Sequence, residues 1–408
     1  MAATYFSGII LTLSSASSRT TQIFTWGIAI ASNNSTDKCF FFAGGGTGGH
    51  LYPAIAVAEQ LKNLEPNARI LFFCSSRNID QYILAQTGFE YSILPAKTFP
   101  SRPGQVIDFF KSFRQSYKIV AGEITKSKNS VITGLGGFAS GPACLAAHKR
   151  KVPLTLLNVD IVPGKANKII SRWASDIFVQ FEDTAKYFNN HKIKINVFGC
   201  PLRSSFQNPQ PEKAIEKIKL DKNKKILLIT GASSGSQSIN EAVCLLMDKL
   251  DDFANDWQIV HLAGRKNPEQ VTSMYEKAKI KHSVLGYYDE MPDLLAAADL
   301  VVGRSGAVSV AEFAVAGVPS ICIPYPHHKD RQQYLNAEKL VEAGAACIVE
   351  DLPDKKETAN SLWDKLSGLM NDSQKRLKMA DSCKKIAKPN ASIEIAKTLI
   401  KIAENIRI

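Results

Sequence analysis

The sequence predicts an α/β protein with two doubly wound parallel sheets that face each other across a cleft. From residue 38 onward, short apolar runs typical of buried parallel strands alternate with stretches of helical period. This alternation restarts at Lys225, and glycine-rich turns follow strands in both series. Because parallel sheets bind ligands at the carboxyl ends of their strands, we expect the site to lie between the two domains.

The first series predicts a domain at residues 38–200. Its expected helices are Pro53–Leu64, Ile79–Gln86 and one from about Ser140. Its expected strands are Cys39–Ala43, Ile70–Cys74, Ser130–Thr133, Leu154–Leu157, Ile177–Val179 and Ile195–Phe198.

The second series predicts a domain at residues 201–390, with the boundary near Gly199–Arg203. The tail from about Lys356 is helical, and we expect residues 391–408 to form a helix that packs back on the first domain. The expected strands are Ile226–Thr230, Gln258–Leu262, Leu300–Val302, Ser320–Ile323 and Ala346–Val349.

Residues 1–37 differ from the rest, with one Arg, no Lys and abundant Ser and Thr. The apolar start has no basic region before it, which disfavours a signal peptide. An organelle transit peptide is compatible with this bias but would carry more Arg. We expect a poorly ordered extension that takes no part in the fold.

The composition excludes several classes of protein. Of 408 residues, 45% are hydrophobic and 22% charged, which is ordinary globular composition. No run reaches the roughly 18 apolar residues of a spanning helix. The net charge of +12 favours an anionic partner, but the bases are spread and form no nucleic-acid motif, so we expect no nucleic acid. The eight cysteines form no C-x-x-C pair, and we expect no metal site.

Three glycine-rich turns follow predicted strands and precede predicted helices. They are Ala43–His50 (AGGGTGGH), Thr133–Pro142 (TGLGGFASGP) and Thr230–Ser236 (TGASSGS). Such turns let backbone N–H groups and a helix N-terminus approach an anion. The first has no P-loop lysine and no acidic residue where a dinucleotide fingerprint needs one. A phosphate-rich ligand other than a hydrolysed nucleoside triphosphate or a dinucleotide is therefore expected.

Three motifs together resemble the MurG family, over residues 39–408. They are Gly44–Pro53 (GGGTGGHLYP), Gly303–Ala307 (GRSGA) with Glu312, and His328–Tyr334 (HKDRQQY) with Asn336. The resemblance implies a GT-B fold of two Rossmann-like domains. It implies inverting transfer of GlcNAc from UDP-GlcNAc, a substrate rather than a cofactor, to lipid I. That acceptor is an undecaprenyl-pyrophosphate-linked muramyl peptide, and the product is the peptidoglycan precursor lipid II.

On the acceptor side, the resemblance implies that the glycine turns hold the pyrophosphate. His50 resembles the family's candidate general base, and an imidazole with an ordinary pKa near 6.5 suits that task. The expected acceptor-binding residues are Gly45, Gly46, Thr47, Gly48, Gly49, Gly136, Gly137 and Asn167.

On the donor side, the resemblance implies that Glu312 accepts the ribose hydroxyls and that a helix N-terminus holds the diphosphate. Ser233 resembles a donor to a phosphate, and two tyrosines match the uracil segment. We expect Arg304 to form a structural ion pair between the domains. The expected donor-binding residues are Arg203, Ser233, Tyr287, Tyr288, Ala307, Val308, Ser309, Glu312, Gln332, Gln333 and Asn336.

Two places depart from the family pattern. A loop that usually reads His-Glu-Gln-Asn here reads Leu157–Asp160 (LNVD), so the usual His and Glu are absent. Cys200 stands where the family usually has Asn. Asp160 is the carboxylate that could take over a catalytic role, and the choice of base between His50 and Asp160 stays open.

Residues 97–128 predict a contact with an anionic membrane surface. The segment holds seven bases and two acids, and its aromatic and aliphatic residues recur at helical spacing. The alternative is that this apolar face belongs to the domain core. With the resemblance, the segment implies a peripheral protein on the cytoplasmic face of the cell inner membrane.

Other functions share this architecture. A glycolipid transferase that uses diacylglycerol and a UDP-GlcNAc 2-epimerase stay open as alternatives. A catalytically silent subunit that binds a UDP-sugar or a lipid pyrophosphate is the non-enzyme alternative.

Overall fold

The computed structural model describes residues 38–46, 48–100, 102–188, 192–232, 235–266 and 268–406. The expectations for residues 1–37, for Thr47 and for Ser233 lie outside the described residues.

The first sheet comprises, in the described part of the chain, seven parallel strands in the order β3-β2-β1-β4-β5-β6-β7. The order reverses at the neighbouring pair β1 and β4, which opens a crevice beyond their carboxyl ends. Both of these strands end in glycine. The strands are β1 Lys38–Gly44, β2 Arg69–Ser75, β3 Glu90–Leu94, β4 Asn129–Gly136, β5 Leu154–Asn158, β6 Asp176–Val179 and β7 Lys194–Val197.

The second sheet repeats this plan, with the parallel order β10-β9-β8-β11-β12-β13 among the described residues. Its reversal falls at β8 and β11, so a second crevice lies beyond these two strands. The strands are β8 Lys225–Thr230, β9 Trp257–Leu262, β10 Lys281–Leu285, β11 Leu300–Gly303, β12 Ser320–Cys322 and β13 Ala346–Ile348. The two sheets confirm the predicted fold class.

Helices connect the strands and cover the sheets. In the first domain they are α1 Gly48–Leu64, α2 Asn78–Ala85, α3 Val106–Thr125, α4 Ser140–Lys149 and α5 Lys165–Ile170. The later helices are α6 Pro211–Ile218, α7 Gln237–Cys244, α8 Met247–Leu250, α9 Pro268–Met274, α10 Met291–Ala297, α11 Ala307–Ala316, α12 Gln332–Glu342, α13 Lys355–Asn371, α14 Ser373–Ile386 and α15 Ala391–Glu404.

Two strands, β3 and β10, escaped the sequence analysis. Each is the edge strand next to β2 or β9 and pairs on one side only. Their residues are mostly half-buried or exposed, and polar residues interrupt the apolar run. The search for continuous apolar runs finds strands that are buried on both faces and misses such edges.

The last helix returns to the first sheet. α15 lies against α1, β1 and β4, and its residues Ile395 and Leu399 are fully buried. At its end, Glu404 lies 2.8 Å from the Lys38 amine, which also contacts Glu65 at 2.6 Å. The chain thus crosses from the second sheet back to the start of β1.

Candidate functional site

A cleft of about 1090 Å³ is lined by residues that follow strands of both sheets. Two of the predicted acceptor-binding glycines, Gly45 and Gly46, do not line it. Of the predicted residues, the lining contains Gly48, Gly49, His50, Gly136, Gly137, Asp160, Asn167, Arg203, Tyr287, Ala307, Val308, Ser309, Glu312, Gln332 and Gln333.

The first glycine turn is held from below by Asp80, which sequence reasoning missed. Both carboxylate oxygens of the fully buried Asp80 accept from the Gly46 N–H at 2.8 Å. A Cβ at Gly45 would lie 2.3 Å from that carboxylate, so only glycine fits there. A Cβ at Gly137 would lie 2.7 Å from the Gly45 carbonyl oxygen, so the two turns touch. Because the Gly46 N–H already donates to Asp80, the backbone N–H groups at the start of α1 are the ones in this turn that can contact an anion.

His50 and Asp160 share the middle of the cleft. Burial raises the pKa of the Asp160 carboxyl, while a hydrogen bond from Asn336 and the nearby imidazoles of His50 and His328 oppose this rise. The two candidates for the base are thus electrostatic neighbours, His50 in the first turn of α1 and Asp160 in the loop after β5.

Asn336 does not lie in the cleft, where the sequence predicts it. It is fully buried and does not line the cleft. Its amide nitrogen donates to Asp160 Oδ1 at 3.1 Å, and its oxygen accepts from the Ile161 N–H at 3.1 Å. Helix α12 of the second domain is therefore hydrogen-bonded to the loop after β5 of the first domain. Gln332 adds a bond to the Val162 carbonyl at 3.1 Å, while Gln333 accepts from the Tyr325 N–H at 3.0 Å.

A chain of hydrogen bonds from amide side chains leads from Asp160 to the acceptor side of the cleft. The Asn158 amide donates to the Asp160 carbonyl at 2.7 Å, and the Asn167 amide donates to Asn158 Oδ1 at 3.0 Å. Asn167 Oδ1 is buried without a hydrogen-bond partner among the described residues. It would lie 3.3 Å from a Cβ at Gly136, and Asn167 lines the cleft. An unsatisfied buried acceptor of this kind suits a ligand hydroxyl or N–H.

Glu312 lies on α11, whose start faces the same cleft. Burial raises the pKa of the Glu312 carboxyl from 4.5 to about 7, and the Arg203 guanidinium opposes this rise. Gly306 caps α11 without a side chain, and the first-turn residues Ala307, Val308 and Ser309 line the cleft. Their N–H groups have no carbonyl partner within the helix, which makes this end an anion site.

Arginines and tyrosines meet across the edge of the cleft. Arg265 of the second domain lies over the Tyr287 ring at 4.1 Å, and its Nη1 donates to the hydroxyl of Tyr82 on α2 at 3.2 Å. Burial, followed by a hydrogen bond to Tyr287, raises the pKa of Tyr52 on α1. Arg203 lies over the Tyr52 ring at 5.6 Å. We refer to these five residues as the interdomain clasp. Sequence reasoning missed Arg265 and Tyr82 because no motif contains them, and it assigned no role to Tyr52 although this residue lies in the Gly44–Pro53 motif.

Tyr288 and Arg304 lie elsewhere than expected. Tyr288 is buried, lies under Lys217 at 5.3 Å and does not line the cleft. Arg304 forms a structural ion pair as expected, but its partner Asp351, at 2.7 Å, belongs to the second domain. The prediction that Arg304 forms an ion pair between the domains is therefore wrong. The same guanidinium donates to Ser236 at 2.7 Å, which ties the third glycine turn to the loop after β13.

Helix α3 has two groups of apolar residues, one exposed and one half-buried. Ile107 and Phe110 are 79% and 65% exposed, whereas Phe109 and Phe113 are half-buried and line the cleft. In the part of the chain that the structure describes, no helix combines the length and the apolarity needed to cross a membrane. Across the described ranges, no cluster of three His, Cys, Asp or Glu residues could hold a metal ion.

Comparisons with known proteins agree with this geometry. The glycosyltransferase family 28 N-terminal domain matches residues 40–179, and the family's C-terminal domain matches residues 226–395. A UDP-N-acetylglucosamine--N-acetylmuramyl-(pentapeptide) pyrophosphoryl-undecaprenol N-acetylglucosamine transferase of Desulforamulus reducens is 32% identical over 370 residues, 88% of this chain and 97% of that protein. The chain belongs to the MurG family of glycosyltransferase family 28.

A further relative supports this assignment, and two solved structures share the fold. The protein of the same name from Halothermothrix orenii is 31% identical over 89% of this chain and 98% of its own length. The crystal structure of Acinetobacter baumannii MurG has a TM-score of 0.69 at 23% identity, over 90% of this chain and 99% of that one. A UDP-GlcNAc 2-epimerase from Neisseria meningitidis, bound to UDP-GlcNAc, has a TM-score of 0.65 at 16% identity, over 89% and 100% of the two chains. At these identities the two structures establish the GT-B fold alone.

The loop after β5 departs from the His-Glu-Gln-Asn pattern that the resemblance implies. The expected His and Glu positions hold Leu157 and Asn158, and the carboxylate stands two residues later at Asp160. Cys200 is buried, and after burial the main influences that raise its pKa are the carboxylates of Glu312 and Asp160. The thiol therefore lies within electrostatic reach of both carboxyl groups of the cleft.

Proposed function

We propose that this protein transfers GlcNAc from UDP-GlcNAc to lipid I and so forms lipid II for peptidoglycan synthesis. The observation that carries the proposal is one cleft with two different anion-binding ends. Glycine turns and His50 line it on the first domain, and the start of α11 with Glu312 lines it on the second. The names of the relatives support the same reaction.

On the donor side, we assign the uracil to the wall formed by Tyr287 and the ribose hydroxyls to Glu312. The diphosphate then reaches the start of α11, where Ala307, Val308 and Ser309 present N–H groups. Gln332 and Gln333 line the cleft next to this point and suit the sugar hydroxyls. Asn336 supports this wall from behind.

The transfer is a single displacement. The acceptor hydroxyl oxygen forms a bond to C1 of GlcNAc while the bond from C1 to the UDP oxygen breaks, which inverts that carbon. The hydroxyl proton passes to His50, and the α11 N-terminus stabilises the charge that develops on UDP. Asp160 stabilises the resulting imidazolium by its charge.

We place the membrane contact on the outer face of α3. Ile107 and Phe110 are exposed beside the bases Lys111, Arg114 and Lys118. An apolar and basic helix face is suited to an anionic lipid surface. This arrangement fits a peripheral enzyme on the cytoplasmic face of the inner membrane.

A single transfer assay tests the reaction. With radiolabelled UDP-GlcNAc and a lipid I analogue, label should enter the lipid and the product should depend on both substrates. Release of free sugar and UDP without acceptor would instead identify an epimerase-type reaction, and transfer to diacylglycerol would identify a glycolipid transferase. Binding of UDP-GlcNAc without any product would overturn the enzyme proposal.

The membrane contact has its own test. Ile107→Ser with Phe110→Ser should release the protein from anionic vesicles without changing its circular dichroism. Vesicle binding that survives this change would contradict the assignment. Leu377→Ser, at a 59% exposed position on α14, is the matched control.

A further inference from the structure

The cleft has an apolar compartment that neither the donor nor the acceptor headgroup accounts for. We call it the apolar lobe and define it by its lining residues, Phe99, Phe109, Phe113, Phe138, Leu145 and Trp173. At its outer end, Phe99 is 81% exposed and the neighbouring lining residue Ile169 is 53% exposed. The lobe therefore opens to the surface beside α3.

The lobe is continuous with the glycine turns. A Cβ at Gly46 would lie 3.8 Å from the Phe138 ring, and a Cβ at Gly141 would lie 3.5 Å from the Phe113 ring. The ring centroids of Phe113 and Phe109 are 6.0 Å apart, and those of Phe109 and Phe99 are 5.6 Å apart. An apolar wall thus runs from the expected pyrophosphate position to the protein surface.

The middle of α3 buries polar side chains and leaves aromatic side chains on the cleft. Ser112 and Ser116 are buried, and their hydroxyls donate to the carbonyls of Phe109 and Ser112 at 2.9 and 2.8 Å. Phe109 and Phe113 are only half-buried and line the cleft. Burying serines while phenylalanines line a cavity leaves apolar surface in contact with water, which costs hydrophobic stabilisation. An apolar ligand that covers the two rings would remove this cost.

We propose that the apolar lobe binds the first isoprene units of the lipid attached to the acceptor pyrophosphate. This inference rests on the proposed function, because the acceptor supplies the hydrocarbon. With the pyrophosphate at the glycine turns, the chain leaves between Phe138 and Phe113 and reaches the surface at Phe99. There it meets the membrane face of α3, so the rest of the lipid stays in the bilayer.

The test uses lipid I analogues with one to five isoprene units, without vesicles and below their micelle concentrations. For the wild-type protein, kcat/KM should rise at least about tenfold from one unit to four and then level off, because only the first units are buried. Transfer to the one-unit analogue tests the proposed function by itself. A chain-length series that is flat from one to five units, with transfer intact, would overturn the lobe and leave the reaction standing.

Variants then separate the lobe from the membrane face. Phe113→Ser should flatten the chain-length series, whereas Phe110→Ser should keep the wild-type slope although it weakens vesicle binding. Gly141→Leu should fill the lobe and penalise the four-unit analogue more than the one-unit analogue. Equal losses at every chain length in both lobe variants, or a flattened series in Phe110→Ser, would contradict the proposal. Circular dichroism and UDP binding serve as checks that each variant is folded.

Discussion

The two sides of the cleft are stabilised in different ways. On the donor side, the buried charges pair within one domain, as Arg304 does with Asp351 at 2.7 Å. On the acceptor side, Asp160 takes its side-chain hydrogen bond from Asn336 of the other domain. The Arg304–Asp351 pair therefore needs no contact from the first domain. The Asp160 loop takes one hydrogen bond from Asn158 of its own domain, at the Asp160 carbonyl, but depends on the second domain for the bond to the Asp160 side chain.

Asn336 on α12 connects the second domain to the Asp160 loop, and Asn158 and Asn167 continue this chain of hydrogen bonds on the acceptor side. Variants that weaken the acceptor side alone should change kcat and the acceptor KM, and variants of the donor side should change the donor KM.

The largest effect is expected at His50. His50→Ala should lower kcat by about 10²- to 10⁴-fold with little change in the donor KM, because a general base acts only in the transition state. Asp160→Asn should cost only about tenfold as an orienting group. His327→Ala, a nearby histidine that does not line the cleft, is the matched control. An inactive Asp160→Asn beside an active His50→Ala would make the carboxylate the base.

The second prediction concerns Glu312 on the donor side. Glu312→Ala should raise the donor KM by roughly 30- to 150-fold, which corresponds to about 2 to 3 kcal/mol of lost charged hydrogen bonds. The acceptor KM should stay within a factor of two or so. Steady-state kinetics with each substrate varied in turn measure both constants, and an unchanged donor KM would remove Glu312 from the site.

The shifted pKa of Glu312 predicts that the stability of the folded protein depends on pH. The pKa of Glu312 rises from 4.5 to about 7 in the fold, so between these values the folded protein keeps a proton that the unfolded chain releases. Stability from this group is present below pH 4.5, is lost as the pH rises to about 7 and stays lost above it. Glu312→Gln should therefore raise Tm at pH 8 and have little effect at pH 4.5. Glu357→Gln, on the exposed face of α13, should shift Tm at neither pH.

The fold was predictable where its elements are buried, and the site only in part. Strands such as β1 and β8 are continuous apolar runs, but the polar edge strands β3 and β10 carry no such signal. Motifs located Glu312 and His50 in the cleft. They gave no sign of Asp80 under the first turn, because its role depends on how α2, 34 residues further along the chain, packs against Gly46 rather than on a local pattern. The motif predicts Asn336 to bind the donor, but an amide near a motif does not reveal which side of the cleft wall it faces.

A fourth prediction moves the carboxylate of the altered loop. Asn158→Glu alone should lower kcat, because the new carboxylate would stand beside Asp160, whose carbonyl the Asn158 amide now contacts at 2.7 Å. Asp160→Asn added to Asn158→Glu leaves one carboxylate in the loop, at the position where the expected pattern has Glu, and should recover about tenfold of that loss, within the usual coupling of contacting residues. A double-mutant cycle on kcat measures the coupling. Additive losses would show that the two positions act separately.

The smallest effect is expected at the interdomain clasp. Arg265 lies over Tyr287 at 4.1 Å and bonds the Tyr82 hydroxyl at 3.2 Å, so it holds a predicted uracil-binding ring and joins both domains. Exposed cation–π contacts contribute about 0.5 to 1 kcal/mol each, so Arg265→Ala should raise the donor KM about two- to fivefold. Tyr82→Phe removes only the hydrogen bond to the first domain and leaves the Tyr287 contact intact. If the clasp acts by stacking on Tyr287, Tyr82→Phe should leave the donor KM near wild type; if it acts by joining the domains, Tyr82→Phe should reproduce the Arg265→Ala effect. In the second case kcat should fall as well, because the Asp160 loop depends on the same domain contact.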